Sequence, residues 1–273
     1  MQKEENPCIQ SPPEYVCYRA VGKIRTDGHL VESSWRKALK TRPLVHITSG
    51  EEVHFNTQAM MVWDDRYWYV GCLVEETDVF ACEGRHHTPV YHTDHDIELF
   101  VDPDGDGENY YEFQINPINT INEVFWDKPG RAGGQGIFGW DLVGIKHAVQ
   151  VQGTLNCPDM KDEGWSVELA LPWKSMGRMC PNVPLPPMPG DTWRVNFTRV
   201  EKTRRRPKIV RSTRQFSSVQ EARDYIGPRI KGEVIESVDW VWAVAPEYNA
   251  HIPSSWGYVH FSDLEVGTAI RKK

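Results

Sequence analysis

Apolar and polar positions alternate along much of the chain. In Asp96-Ile97-Glu98-Leu99-Phe100-Val101, the residues Ile97, Leu99 and Val101 share one side of an extended strand, and Tyr111, Phe113 and Ile115 repeat the pattern in the next segment. Ala59 to Trp63 and Tyr67 to Val74 are apolar, aromatic and β-branched, and Asp64-Asp65-Arg66 between them marks a hairpin. Ile121 to Trp126, Ile145 to Val151, Trp165 to Leu171, Trp193 to Val200, Trp240 to Val244 and Tyr258 to Phe261 read as further strands between Gly, Pro, Asn and Asp clusters. Helical spacing is confined to Trp35 to Lys40, with Ser33 or Ser34 as its cap, and to Gln220 to Tyr225. Many short strands separated by turn signals predict an all-β protein: an antiparallel, jelly-roll-like β-sandwich with few short helices. Its core should hold Ile97, Leu99, Val101, Phe113, Ile115, Val167 and Leu169. Residues 1–17 are polar and proline-bearing and read as a loose arm, leaving 18–273 as one domain. Arg178 to Gly190, with five prolines, and Glu201 to Lys231 read as loops.

Strand register carries the first functional expectation. If both apolar sets face the core, Val101 pairs with Tyr111 and Leu99 with Phe113, because a slip of one residue turns one set outward. Glu98 then lies opposite Gln114, and Asp96 opposite Asn116. Carboxylate and amide groups held in fixed directions on one face match sugar hydroxyls, each of which donates and accepts. An ordinary solvated sheet face has the same pattern.

The loop joining these strands reads Asp102-Pro103-Asp104-Gly105-Asp106-Gly107. Oxygens on alternate residues followed by a glycine make the first half of a calcium loop, and three neighbouring carboxylates repel one another unless a cation neutralises them. The twelfth position is Phe113 where an EF-hand needs glutamate, so Asp102, Asp104 and Asp106 are either a calcium-bound hairpin or a plain Asp/Gly turn. Upstream, His86, His87, His92 and His95 interleave with Asp94 and Asp96, as a transition-metal site or as a ligand-contacting rim beside the polar face. Glu98 and Glu168 are one conceivable glycosidase pair, but a bridge from Glu168 to Arg194 is more economical.

Composition narrows the classes. A net charge of −7 disfavours a general nucleic-acid binder. The basic run from Lys202 through Arg204, Arg205, Arg206, Lys208, Arg211 and Arg214 reads as a solvated loop or a patch for an acidic partner. No apolar run has membrane-spanning length. The first ten residues, MQKEENPCIQ, have no signal-peptide pattern, and six cysteines without metal spacing read as free thiols, which together lean cytoplasmic. Tryptophan is abundant, at 11 residues; most should fill the core, with some free to stack on a ligand.

Seven motifs in order, from Val21 to Phe261, resemble the family 9 carbohydrate-binding modules. They are Asp27-Gly28 with Glu32 and Trp35; Met61-Val62-Trp63-Asp64 followed by Tyr67-Trp68-Tyr69-Val70; Asp96-Ile97-Glu98-Leu99-Phe100-Val101-Asp102; Tyr110-Tyr111-Glu112-Phe113-Gln114-Ile115-Asn116; Gly164-Trp165 through Pro172-Trp173; Trp193-Arg194-Val195-Asn196-Phe197-Thr198-Arg199; and Pro253 with Trp256-Gly257-Tyr258-Val259. The resemblance implies a β-sandwich, structural calcium, no catalytic residues and a role in carbohydrate catabolism. It also implies that the reducing end of a glycan sits between two tryptophans beside hydrogen-bonding side chains. The family's glutamate falls on Glu98 and its next-strand polar pair on Gln114 and Asn116. Its stacking tryptophans fall on His92, beside Tyr91, and on Ala250, beside His251; Tyr91, His251, Trp126 and Trp242 are the substitutes at hand. The expected site is therefore Tyr91, His92, Glu98, Gln114, Asn116 and His251. The expected partner is an oligo- or polysaccharide bound by a monomer, with no nucleic acid and no membrane. A structural or protein-interaction sandwich, or a glycoside hydrolase-associated protein, is the alternative.

Overall fold

A computed structural model describes residues 11–205 and 233–268. The helix expected at Gln220 to Tyr225 and the basic residues Arg206, Lys208, Arg211 and Arg214 lie outside them, as does Cys8.

The strands are β1 (Glu14–Arg19), β2 (Val45–His46), β3 (Thr57–Trp63), β4 (Tyr67–Glu75), β5 (Asp96–Asp102), β6 (Tyr110–Ile115), β7 (Ile121–Trp126), β8 (Gly136–Phe138), β9 (Lys146–Gln152), β10 (Gly164–Pro172), β11 (Thr192–Arg205), β12 (Glu233–Val241) and β13 (Gly257–Glu265). They join in the order β8-β7-β6-β5-β11-β13-β1-β3-β4-β10-β9, with β12 pairing β11 and β2. The two halves of this path fold face to face over one apolar core. Trp68 on β4 meets Trp193 on β11 with ring centroids 5.6 Å apart, and the seven residues expected in the core all belong to one buried cluster. Nine of the eleven tryptophans are buried, which assigns most of them to packing and leaves Trp126 and Trp140 partly exposed.

The structure corrects the sequence reading in two places. Residues 14–17 belong to β1, not to a loose arm. This strand runs parallel to β13 and β3 in a ladder that is otherwise antiparallel. Tyr15 anchors it, its hydroxyl donating to the Leu39 carbonyl at 2.7 Å and accepting from the Met61 amide at 2.9 Å. Residues 201–205 continue β11 rather than opening a loop, and β12 begins at Glu233, seven residues before the expected Trp240. The first short helix, α1 (Ser33–Lys37), has Glu32 at its N-cap with no side-chain cap bond. Ser34 instead bridges both backbone groups of Val21 at 2.8 Å. The second, α2 (Trp173–Met176), follows β10 directly.

The β5–β6 register is the expected one: Val101 pairs with Tyr111, Leu99 with Phe113 and Glu98 with Gln114. Glu168 does not bridge to Arg194. Its carboxylate accepts the Asp27 and Gly28 amides and the Trp35 indole N–H, each at 2.9 Å, and so ties the Asp27-Gly28 turn to the middle of β10. Gly28 has φ of +83°, and a Cβ there would sit 3.0 Å from the β9 backbone at Val149, so the close approach requires glycine. Arg194 lies over the Tyr258 ring and donates to the Trp256 carbonyl.

Candidate functional site

Period-two geometry puts Asp96, Glu98 and Phe100 of β5 on the sheet face away from the core, beside Tyr110, Glu112 and Gln114 of β6. Registers extend this row to Asn122 on β7, Thr198 on β11 and Asp239 on β12, which pair with Gln114, Glu98 and Val200. The face is not open to solvent. The segment after β12 crosses it, packing Ala250 and Trp256 on Phe100, Tyr110 and Trp126. The single helical turn Val90–His92 stands on the other side. Between them is a cavity of about 610 Å³, within the roughly 300–1,000 Å³ usual for small-molecule sites.

Five of the six residues expected from sequence, Tyr91, His92, Glu98, Gln114 and His251, line this cavity. Asn116 does not. It is fully buried and structural: its amide donates to the Glu83 carbonyl and the Asp94 carboxylate at 2.8 Å each, and its carbonyl accepts the Thr120 amide at 2.9 Å. Asp94 also holds the Cys82 and Glu83 amides, so Asn116 fixes the segment that carries Tyr91 and His92. The two positions aligned with stacking tryptophans, His92 and Ala250, both line the cavity, but neither supplies a large aromatic face. Tyr91, Trp126, Phe138 and Tyr248 supply such faces around it, whereas Trp242 is buried in the core.

Hydrogen bonds pre-set the floor. The Gln114 amide donates to Glu112, the Asn122 amide donates to the Gln114 carbonyl at 3.0 Å, and the Trp126 indole donates to Glu112 at 2.6 Å. His251 shares a 2.9 Å bond with the Tyr110 hydroxyl, and burial pushes its pKa down, keeping the ring neutral at neutral pH. Lys202 donates to the Ser237 hydroxyl at 2.8 Å and faces Asp96, Asp239 and Glu98. The cation expected in a solvated loop is thus part of the cavity wall. Sequence reasoning missed Glu112, Lys202, Asp239 and Tyr248. Glu112 was accessible from its period-two relation to Gln114. The last two depend on the path of β12 and its following segment, which no local pattern reveals.

Asp96 and Glu98 are both buried, and desolvation raises both carboxyl pKa values well above the ordinary range; the Asp96 charge raises Glu98 further, while Asp239 and Asp94 raise Asp96 against the lowering effect of Lys202. Burial also pushes Glu201 up, to about 8. A folded-state carboxyl with a raised pKa retains a proton that the unfolded chain releases, so stability falls as pH rises from about 4.5 through the folded pKa. His251 acts oppositely, but only below about 6.5, as a single group. The urea midpoint should therefore be lower at pH 8 than at pH 5.5; a midpoint that rises over this interval would contradict the charge assignment.

The Asp102 carboxylate, at the end of β5, accepts the Gly105 and Gly107 amides at 2.9 Å each, and these glycines take positive φ. Asp104 and Asp106 bring their oxygens within 4.8 Å of it and of each other. Burial, followed by the Asp104 carboxyl, pushes the Asp102 pKa up to about 7. Hard oxygen donors facing one point, one of them reluctant to ionise without a cation, fit calcium. A second cavity of about 630 Å³, beside Tyr67, Val143 and Trp173, contains none of the expected site residues.

The architecture defines the class: a β-sandwich with a roofed polar cleft on the outer face of one sheet. A protein of Bacteroides uniformis, provisionally described as carbohydrate-binding, shares this fold over 92% of this chain and all of its own, with TM-score 0.63 and 14% identity. Two structures of a family 9 carbohydrate-binding module from Caldicellulosiruptor kristjanssonii, one in complex with cellotriose and one with glucose, also match. They cover 94% and 91% of this chain and 99% and 96% of theirs, each with TM-score 0.52 and 14% identity. No family model matches the sequence, and no curated protein sequence does so significantly. The chain therefore has the fold of the family 9 modules.

Proposed function

We propose that this protein binds a neutral oligosaccharide, through the end of the chain, in the cleft above Glu98 and Gln114. One observation carries the reading. Among the described residues, Glu112 and Gln114 already have protein partners, whereas the Glu98 carboxylate lines the cavity with no side-chain hydrogen bond of its own. A sugar hydroxyl is the complement of such a group, since it donates to the ionised form and accepts from the protonated one. The aromatic faces of Tyr91, Trp126 and Tyr248 would receive the apolar C–H face of a pyranose. Binding rather than hydrolysis is favoured because Glu168, the conceivable partner of Glu98, is held by three N–H donors of the Asp27-Gly28 turn and Trp35. This is the behaviour of a non-catalytic module acting in carbohydrate breakdown.

A glycan array covering β-glucans, xylans, mannans and α-glucans, run with calcium present, tests the proposal. Retention of one neutral glycan class supports it, and an array without retained glycans turns the reading toward a structural sandwich. Oligosaccharides with free and with reduced ends separate the binding modes: reduction opens the terminal ring, so a reducing-end site should lose affinity for the reduced form.

Calcium at Asp102, Asp104 and Asp106 is proposed as a structural ion that holds the β5–β6 loop beside the cleft. An ion bound only by the native state raises the melting temperature by mass action. Calcium should raise it relative to chelator, and the Asp102→Asn/Asp104→Asn/Asp106→Asn variant should lose the response. An identical melting temperature in calcium and in chelator would remove the ion.

A further inference from the structure

We infer that His86, His87, Glu123 and Asp141 form a binding site for a divalent transition metal, zinc foremost, on the side of β7 opposite the cleft. The four residues come from three separate parts of the chain. His86 and His87 lie in the turn before the Val90–His92 helix, Glu123 lies in β7, and Asp141 lies between β8 and β9. Each offers one ligand atom, and the four atoms all fall within 4.8 Å of one another. His86 Nε2 is 3.4 Å from a Glu123 oxygen, and His87 Nε2 is 3.2 Å from an Asp141 oxygen. A tetrahedral zinc site with bonds of about 2.0–2.1 Å has ligand–ligand edges of about 3.3 Å, so both pairs already stand at the spacing the ion would impose.

Charge separates this reading from two plain ion pairs. The imidazole centroids of His86 and His87 are only 3.9 Å apart. Ion pairing with both carboxylates would require both rings to be protonated at that distance, placing two like charges together, and two neutral rings donating Nε2–H would supply no cation to the Glu123 and Asp141 charges. One divalent cation balances both carboxylates while both imidazoles stay neutral, the form in which they ligate. The donor set is also suitable, since imidazole with carboxylate suits zinc and its first-row neighbours, whereas calcium takes oxygen alone. One further feature supports it: Glu123 is 1% exposed, and its second oxygen accepts the Leu142 amide at 2.8 Å, which fixes the orientation of the carboxylate. Such an ion would fasten the segment carrying Tyr91 and His92 to β7, behind the cleft they line.

The test uses tag-free full-length protein stripped with chelator and titrated with zinc chloride, with bound metal counted by mass spectrometry. Wild-type protein should take up one zinc per chain, and cobalt(II) should give the intense visible bands of a four-coordinate site. His87→Ala should weaken zinc binding at least about 30-fold, since loss of a mere outer-shell partner already costs about 10–100-fold. Asp141→Asn, at an exposed side chain where folding is not at risk, should abolish the cobalt bands. His29→Ala, at an exposed residue outside the cluster, should bind as wild type does. The assignment is overturned if wild-type protein takes up no stoichiometric zinc, or if uptake persists unchanged in both His87→Ala and Asp141→Asn.

Discussion

Arg199→Met should destabilise the protein by about 3–5 kcal/mol, the cost of removing one partner from a buried ion cluster. Arg199 is fully buried in β11 and donates to Glu76 at 2.6 Å, Glu201 at 2.7 Å, the Thr57 hydroxyl at 2.9 Å and the Glu75 carbonyl at 2.8 Å. Without it, two carboxylates face each other away from water, and burial already holds the Glu201 pKa at about 8 with the arginine present. Adding Glu201→Gln to Arg199→Met should recover part of the loss, because it removes a charge that has no partner. The cluster sits beside Thr198, Val200 and Lys202, so the same substitution loosens the strand that walls the cleft. Urea unfolding of the single and double variants measures both effects. A single variant within 1 kcal/mol of wild type would show that the cluster is not the anchor described.

How much of this was legible in the sequence depends on the range over which each feature is determined. The β5–β6 register was legible because Ile97, Leu99 and Val101 and their partners Tyr111, Phe113 and Ile115 alternate without interruption, and any slip would turn charge into the apolar core. Glu98 and Gln114 follow from that register. Asn116 follows the same period, yet it sits where pairing stops and its amide turns to Asp94 and the Glu83 carbonyl. A strand rule does not reach past the end of the strand. Residues 14–17 looked like a loose arm because Pro12 and Pro13 precede them and only Tyr15 and Cys17 alternate. Their strand character comes from two parallel neighbours, β3 and β13, distant in sequence. Glu168 is a mid-strand carboxylate whose partners Asp27 and Gly28 lie 141 and 140 residues away, so no local pattern assigns it. The histidine-rich stretch held a partial signal. His86 and His87 do cluster, but with Glu123 and Asp141 rather than with their sequence neighbours. His95 is instead buried against Phe80, with a ring nitrogen 3.0 Å from the Lys202 carbonyl oxygen.

Glu98→Ala should weaken glycan binding by about 1.5–3 kcal/mol, the upper part of the cost of leaving buried hydrogen-bonding groups unpaired. That is about a tenfold to 150-fold loss of affinity. Alanine removes the group in either protonation state, which a glutamine would partly mimic. Stability should hold or increase, because the substitution also removes a carboxyl that burial, and then the Asp96 charge, holds at a raised pKa. A residue retained for structure would show the reverse: lost stability and unchanged binding.

The most direct measurement is calorimetric titration of wild-type protein and Glu98→Ala with cello-oligosaccharides, followed by whichever glycan class the array retains. Wild-type protein should show one saturable site, at least tenfold weaker in a Glu98→Ala variant that melts no lower. Equal affinity in the two proteins, or no heat of binding from any glycan class, would contradict it.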